Sequence, residues 1–396
     1  MDYAAIVREA RRLRDEVVRL RRRIHSYPEL AFEERRTGRL AAGYLKALGL
    51  KVRSGIAKTG VVGLLDIGAK QTIGLRADMD ALPVTEQTGL PFASRIPGRM
   101  HACGHDAHVA MLLATARLLC RHRNELRSNV KFIFQPSEET PPGGAAPMIR
   151  AGALERPHVD AMFGMHCDSS LPTGKIGIKH GVAMANADNV NITVIGRGGH
   201  AARPHESVDA IATAGAIVSI LQTIVSRNIN PVEPTVITLG TVRGGTKSNI
   251  ICDRVEMQGT MRSVTLSTRR KLPALVARVA RGVANSMGAE ADVQVFRGYP
   301  LLKNHAAAVR QIVSLSHKLF GNSSVVFLEH PVMGAEDFAY YLRKAQGAFI
   351  RLGTANPRKK SIYPWHHPKF NVDEDALPVG VALFAALALG HPDETA

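Results

Sequence analysis

Residues 190–296 follow the order strand, helix, strand, strand, helix, strand, inside a chain whose remaining parts alternate strands with helices. The inner pattern runs VNITVIG at 190–196, a helical stretch over about 207–227, TVITLGTV at 235–242, RVEMQGTM at 254–261, a helical stretch over about 267–287, and ADVQVF at 291–296. That βαββαβ order is the ferredoxin-like arrangement, and a unit of this size folds on its own. It is therefore expected as an insertion. Before it, TIGLRA at 72–77, a helix from about Asp106 to Cys120, VKFIF at 130–134 and DAMFGMH at 160–166 predict α/β layering. After it, SVVFLE at 324–329 and AFIRLG at 348–353 return strands to the main sheet, and a helix over 377–390 closes the fold. The predicted division is a main domain at 1–182, an inserted domain at 183–299, and the main domain resumed at 300–396.

A chain of 396 residues is long for one compact core, which agrees with two. Hydrophobic residues make up 45% and charged residues 21%, a globular balance that argues against disorder. The first 24 residues alternate apolar and basic positions at helical spacing. They predict an amphipathic surface helix rather than a signal peptide. No stretch of roughly 18 uncharged apolar residues stands out as a membrane span, so a soluble protein is expected. Four scattered cysteines make a disulfide framework improbable and fit a reducing cytoplasm. Lys+Arg of 51 against Asp+Glu of 34 gives a net charge of +17. Because the charges are spread along the chain and no nucleic-acid motif accompanies them, a solvated basic surface is expected and nucleic acid is not.

The strands of the main domain end in chemistry: Asp78 and Asp80 after the first, Gln135 to Glu139 after the second, His166 at the end of the third. In open α/β sheets, functional groups collect beyond the carboxyl ends of the strands, so these segments are expected to meet in one cleft. MHACGHDAH at 100–108 packs three histidines, a cysteine and an aspartate into nine residues. Cys103 and His105 stand just before a helix, and Glu138 and Glu139 are adjacent carboxylates at a strand end, where mutual repulsion favours a nearby cation. His166 and His366 lie in apolar or aromatic surroundings. One thiolate, three imidazoles and a carboxylate suit zinc and accommodate manganese, cobalt or nickel. Five ligands exceed what one catalytic zinc takes, which points to two metals.

The segments RRRIHSYPELAFEE (21–34), RADMDALP (76–83), MHACGHDAH (100–108), QPSEE (135–139), GMH (164–166), GRGGHAARPHESVDAI (196–211), GTMRS (259–263), GAEDFAYY (334–341) and HHPKFNVDE (366–374) follow one another along the chain. In that order they resemble the M20 family of metallopeptidases, in the amidohydrolase branch with hippurate and auxin-conjugate hydrolases. The resemblance covers nearly the whole chain. It implies a zinc-exopeptidase-like α/β domain, with a central mixed sheet flanked by helices, and an inserted lid or dimerisation domain. It further implies that Cys103, His105, Glu139, His166 and His366 hold two divalent ions (Zn, Mn, Co or Ni), with Cys103 as the bridge. His366 is preferred to His367 because the family's ligand lies two residues before the proline, here Pro368. Glu138 matches the general base that takes a proton from the attacking water, and Asp80 the supporting aspartate. His200 matches a histidine that stabilises the tetrahedral intermediate, often from a partner subunit, and Asn249 and Arg262 match positions that hold a substrate carboxylate. Asp106 and His108 are expected to be helix-start or supporting groups, and Glu336 is left without a role.

Two departures stand out: Ser169, where many relatives have proline, and NIICD at 249–253, where they read NVIPD. Neither touches a proposed ligand, so they bear on substrate preference rather than on the reaction. The expected activity is hydrolysis of the amide bond of N-acyl amino acids or related small amides, in a cytoplasmic homodimer or higher homo-oligomer. The alternatives are a carboxypeptidase or dipeptidase, a hydrolytic deaminase acting on an aromatic amine, and a non-catalytic basic binding protein; the retained Glu138 counts against the last.

Overall fold

The computed structural model describes residues 2–390. Two compact units divide the chain as Met1–Ala183, Lys303–His330 and Asp337–Ala396, and as Met184–Leu302 with Pro331–Glu336. The second unit thus takes in 331–336, a segment that the sequence pattern assigns to the resumed main domain.

The first unit is built on an eight-stranded mixed sheet in the order Lys51–Ile56, Gly60–Leu65, Asn129–Gln135, Thr72–Asp78, Ala161–Pro172, Gln346–Ala355, Ile176–Ile178, Val325–Phe327. Its centre is parallel: Thr72–Asp78 pairs in parallel with both Asn129–Gln135 and Ala161–Pro172, and Gln346–Ala355 with Ala161–Pro172. Asn129–Gln135 is buried throughout, as a strand covered on both faces must be. Register carries the chemistry to one level, because Asp78 pairs with Gln135 and Arg76 with Gly164, two residues before His166. Strand Ala161–Pro172 continues well past His166, which therefore lies within the strand rather than at its end.

Helices bury this sheet. Leu377–Leu389 is apolar on every side and buried nearly throughout, the signature of a helix inside the core rather than on its surface. The amphipathic N-terminal stretch forms two helices, Tyr3–Arg12 and Arg14–His25, that meet at Leu13. Two strands and a helix without a strong sequence signature, Arg35–Ala47, Lys51–Ile56 and Gly60–Leu65, complete one edge.

The second unit has an antiparallel four-stranded sheet in the order Thr235–Gly244, Arg254–Ser263, Asn186–Ile195, Glu290–Arg297. Numbered along the βαββαβ unit, this is 2-3-1-4, the ferredoxin-like topology. Helices Ala210–Asn228 and Leu266–Ser286 cover it, with Ile217, Leu221, Val276 and Ala280 in its core. Helix Ala210–Asn228 is long and apolar enough to cross a membrane by length and composition alone. The reason is its small and aliphatic residues, one row of which, Ala214, Ile217, Leu221 and Ile224, packs into the core while Ile211 and Ile220 face outward.

Asp188 anchors this unit. Its carboxylate accepts from Arg269 Nη2 and Arg297 Nη1, each at 2.6 Å, and from Gly298 N at 3.0 Å. Burial alone would raise its pKa, but the hydrogen bonds and charges of Arg269 and Arg297 outweigh it and hold the carboxyl below its ordinary value. A depressed folded-state pKa adds stability that is present above the unfolded value of about 3.9 and is lost as pH falls through the folded value. Asp188→Asn leaves the half of the pair on Arg269 uncompensated. It is expected to destabilise the unit by about 3–5 kcal/mol, and urea unfolding at neutral pH against pH 3 checks this, because the gap between variant and parent should shrink in acid.

Candidate metal centre

Gly104 separates Cys103 from His105 with φ +93°, a left-handed conformation that glycine adopts without strain. A Cβ there would stand 3.1 Å from Cys167 Cβ. The turn therefore presses Cys103 and the start of helix His105–Arg121 onto the strand carrying His166. Cys103 Sγ lies 3.3 Å from His166 Nε2.

The orientation of each imidazole follows from its second nitrogen. His105 Nδ1 lies 2.9 Å from the Asp80 carbonyl and 3.2 Å from Asp80 Oδ1, so Nδ1 carries the proton and Nε2 faces the cluster. His166 Nδ1 donates to the Cys167 carbonyl at 2.7 Å, which likewise turns Nε2 inward. Asp80 Oδ2 accepts from Glu139 N at 3.0 Å, so this one buried carboxylate orients two candidate ligands. Glu139 Oε1 stands 3.2 Å from His366 Nε2 and 3.8 Å from His105 Nε2. His367 is engaged elsewhere, its Nδ1 accepting from Lys369 N and its ring stacked on Tyr363.

Two of the three-donor groups contain Cys103, namely Cys103–His105–His166 and Cys103–Glu139–His366, with the ligand atoms in each within 4.8 Å of one another. Cys103 is common to both. Glu138, 6% exposed, shares another such group with His105 and Glu139.

The electrostatics favour a cation here. Burial and the neighbouring Glu139 and Glu138 push the Cys103 thiol well above its ordinary pKa. Burial opposes a charged His105, yet Asp78, Asp80 and Glu139 outweigh it and lift the imidazole to about 10. Among the described residues, His105 Nε2 and Glu139 Oε1 are buried without a hydrogen-bond partner, Glu139 Oε1 having only the ion-pair approach of His366 Nε2, a costly state that a metal ion relieves. A bound cation also reverses the thiol's preference, since a coordinating thiol is deprotonated. Donor chemistry, orientation and orphaned atoms all fit a pair of divalent ions.

Supporting groups surround this cluster. Asp78 Oδ1 accepts from His108 Nδ1 at 2.6 Å, and His108 Nε2 accepts from Cys167 N at 2.9 Å, so the dyad props the strand segment next to His166. Burial would raise Asp78, but Arg76, His105 and His108 hold its carboxyl well below the usual range. Asp106 accepts from Arg21 Nε at 3.0 Å and lies 2.8 Å from His25 Nδ1, while Arg21 also reaches Asn371 and Glu374 beyond the His366 loop. Arg21 and His25 are absent from the expected site, although RRRIH at 21–25 is the sequence signal for them. Arg76 and Gln135 donate to Asp337.

In the second unit, His200 is exposed on a short strand opposite Ile250, with Asn249 beside it through the Ala201 N to Asn249 O bond of 3.2 Å. Arg262 donates to the Met333 carbonyl at 3.0 Å, and burial lowers its pKa. Glu336 is only 2% exposed and so is not the exposed helix-start carboxylate that its sequence context allows.

The sequence matches the model of Peptidase family M20/M25/M40 over residues 74–390. The chain is 42% identical to thermostable carboxypeptidase 1 of Saccharolobus solfataricus over 386 residues, 96% of each protein. It is 41% identical to N-acetylcysteine deacetylase of Bacillus subtilis over 377 residues, 94% of this chain and 96% of the relative. A Bacillus subtilis crystal structure described as a dinuclear metal binding peptidase of the M20 family superposes with a TM-score of 0.83 at 36% identity, covering 96% of this chain and 98% of the other. Matches of this length account for both the mixed-sheet domain and the insertion. With its paired donor groups, the protein is a metal-dependent hydrolase of amide bonds, and the chain belongs to peptidase family M20/M25/M40.

Proposed function

We propose that this protein removes the acyl group from N-acyl amino acids, releasing a carboxylic acid and an amino acid. The observation that carries the proposal is the sharing of Cys103 between two ligand groups beside Glu138, a buried carboxylate. Cys103, His105, Glu139, His166 and His366 would hold the two metals, which when bound supply Lewis acidity toward a carbonyl oxygen and acidify water.

The chain's own residues do the rest. Glu138 accepts a proton from the attacking water at its carboxylate and returns it to the departing amine, a role worth ~10²–10⁴-fold in rate. Asp80 keeps the His105 ring and the Glu139 backbone in place. Arg262 offers a bidentate fork for the substrate carboxylate, with Asn249 as a second donor, and His200 donates to the oxyanion of the tetrahedral intermediate. The net charge of +17 favours an anionic substrate. The exposed position of His200 and the outward Ile211 and Ile220 support a homodimer or higher homo-oligomer, and four free cysteines support a cytoplasmic location.

Carboxypeptidase action is a second reading, favoured by the name of the 42% identical relative. Both substrates present a carboxylate next to the scissile amide, so the difference lies in what the acyl pocket admits. A panel of N-acetyl, N-benzoyl and N-aminoacyl amino acids, assayed after chelation and after return of zinc, manganese, cobalt or nickel, separates them. Activity is expected to vanish on chelation, to return with metal, and to be highest on simple acyl groups. Activity that survives complete chelation overturns the proposal.

A further inference from the structure

The stretch AFEE at 31–34 enters none of these roles, yet Glu34 is 0% exposed. Its Oε1 accepts from Ser137 N at 2.8 Å and Phe32 N at 2.9 Å, and its Oε2 from Thr59 Oγ1 at 2.5 Å. All three donors are neutral. Burial lifts the carboxyl to about 7, only partly offset by these bonds. An acid buried this way is expensive unless its hydrogen bonds do something that an apolar side chain cannot.

The bond to Ser137 supplies the reason. Ser137 has φ +51°, a left-handed conformation that costs a residue with a Cβ about 1–2 kcal/mol. That conformation turns the chain from the buried strand Asn129–Gln135 into Glu138 and Glu139. On the far side of the turn, Glu139 N donates to Asp80 Oδ2 at 3.0 Å. Glu138 therefore sits between two amides, each given to a buried carboxylate from a different element. The Ser137 carbonyl accepts from Gly144 N at 2.9 Å, which closes the loop behind it.

We propose that Glu34 is a positioning residue: by accepting the Ser137 amide it holds the strained turn in its left-handed form and so aims Glu138 and Glu139. The assignment rests on the roles given above to those two carboxylates. The acceptor is what matters, not the charge. A glutamine at this position keeps an oxygen for Ser137 N and turns its amide nitrogen toward the Thr59 hydroxyl, which accepts as well as donates.

The test compares Glu34→Gln and Glu34→Met in the metal-loaded full chain. Glu34→Met is expected to lower kcat by about 100-fold, the cost of misplacing a reacting group by about 1 Å, with KM changed less than about threefold. Its affinity for zinc, measured by competition with a chromogenic chelator in the absence of substrate, should fall about 10–100-fold. Glu34→Gln should restore both to within a few-fold of the parent. If Glu34→Met does not fold, Thr59→Val, which removes one donor to Glu34, should show the same two losses in milder form. A Glu34→Met protein with parental kcat and zinc affinity but a lower unfolding midpoint overturns the proposal, as does a Glu34→Gln protein no better than Glu34→Met. If the parent hydrolyses no N-acyl amino acid, the substrate reading fails alone, because the zinc ranking of parent, Gln and Met still decides the role of Glu34.

Discussion

Glu138→Gln is expected to lower kcat on an N-acyl amino acid by about 10³-fold, within the range found for loss of a general base, while the metal content per chain stays at its parental value. The substitution is nearly isosteric, so the turn that carries it and its 6% exposure need not change. What it removes is a proton acceptor within 4.8 Å of the ligand atoms of His105 and Glu139. An amide cannot take the proton from water, and a 10³-fold loss corresponds to about 4 kcal/mol of barrier. Elemental analysis alongside steady-state kinetics separates the two carboxylates of the pair. Glu139→Gln should cost metal, because Glu139 offers an oxygen to the group with Cys103 and His366. Parental turnover in Glu138→Gln, or loss of metal from it, would remove Glu138 from the role of base.

The difference between these adjacent residues shows what was legible in the sequence and what was not. QPSEE after a buried apolar run announces two carboxylates at a strand end, and the parallel order of strands places them beyond the same sheet edge as Asp78. Periodicity also gives the βαββαβ insertion, since strand alternation and helix spacing are local properties. The backbone that aims the two carboxylates was not legible. A left-handed serine carries no signal in a one-dimensional string, because it is held by Glu34 from more than a hundred positions earlier. Arg21 was equally hidden: in a run of basic residues at 21–23 it reads as surface charge, yet it is 1% exposed and pairs with Asp106. The strands Lys51–Ile56 and Gly60–Leu65 escaped for other reasons. Lys51–Ile56 is a mostly exposed edge strand, so little apolar patterning marks it, whereas Gly60–Leu65 is a short buried run that periodicity alone does not tell from a buried helix segment. Between the adjacent histidines, only His366 brings its Nε2 to Glu139 Oε1, at 3.2 Å, while the ring of His367 stacks on Tyr363, contacts that no linear pattern prints.

The second large effect concerns Cys103, because its sulfur belongs to both donor groups, while His166 and His366 each belong to one. Removing a shared donor and removing an unshared one should therefore differ in stoichiometry, not only in degree. Cys103→Ala is expected to leave less than one equivalent of metal per chain at concentrations that saturate the parent, with a fall in affinity greater than the ~10–100-fold typical of a supporting residue. Activity should be lost with the metal. His366→Ala takes a donor only from the group with Glu139, so one equivalent should remain on Cys103, His105 and His166. His367→Ala should keep both, since its ring nitrogen is committed to Lys369 N. In the absence of a cation, burial and the two glutamates keep Cys103 protonated, so metal binding at the sulfur must displace that proton. Metal uptake by the parent should accordingly release protons, from the Cys103 thiol and from the charged His105 imidazole, and strengthen as pH rises, whereas Cys103→Ala should release fewer protons than the parent. Two equivalents of metal retained by Cys103→Ala would show that the sulfur bridges nothing, and the pairing of the two donor groups through it would have to be given up.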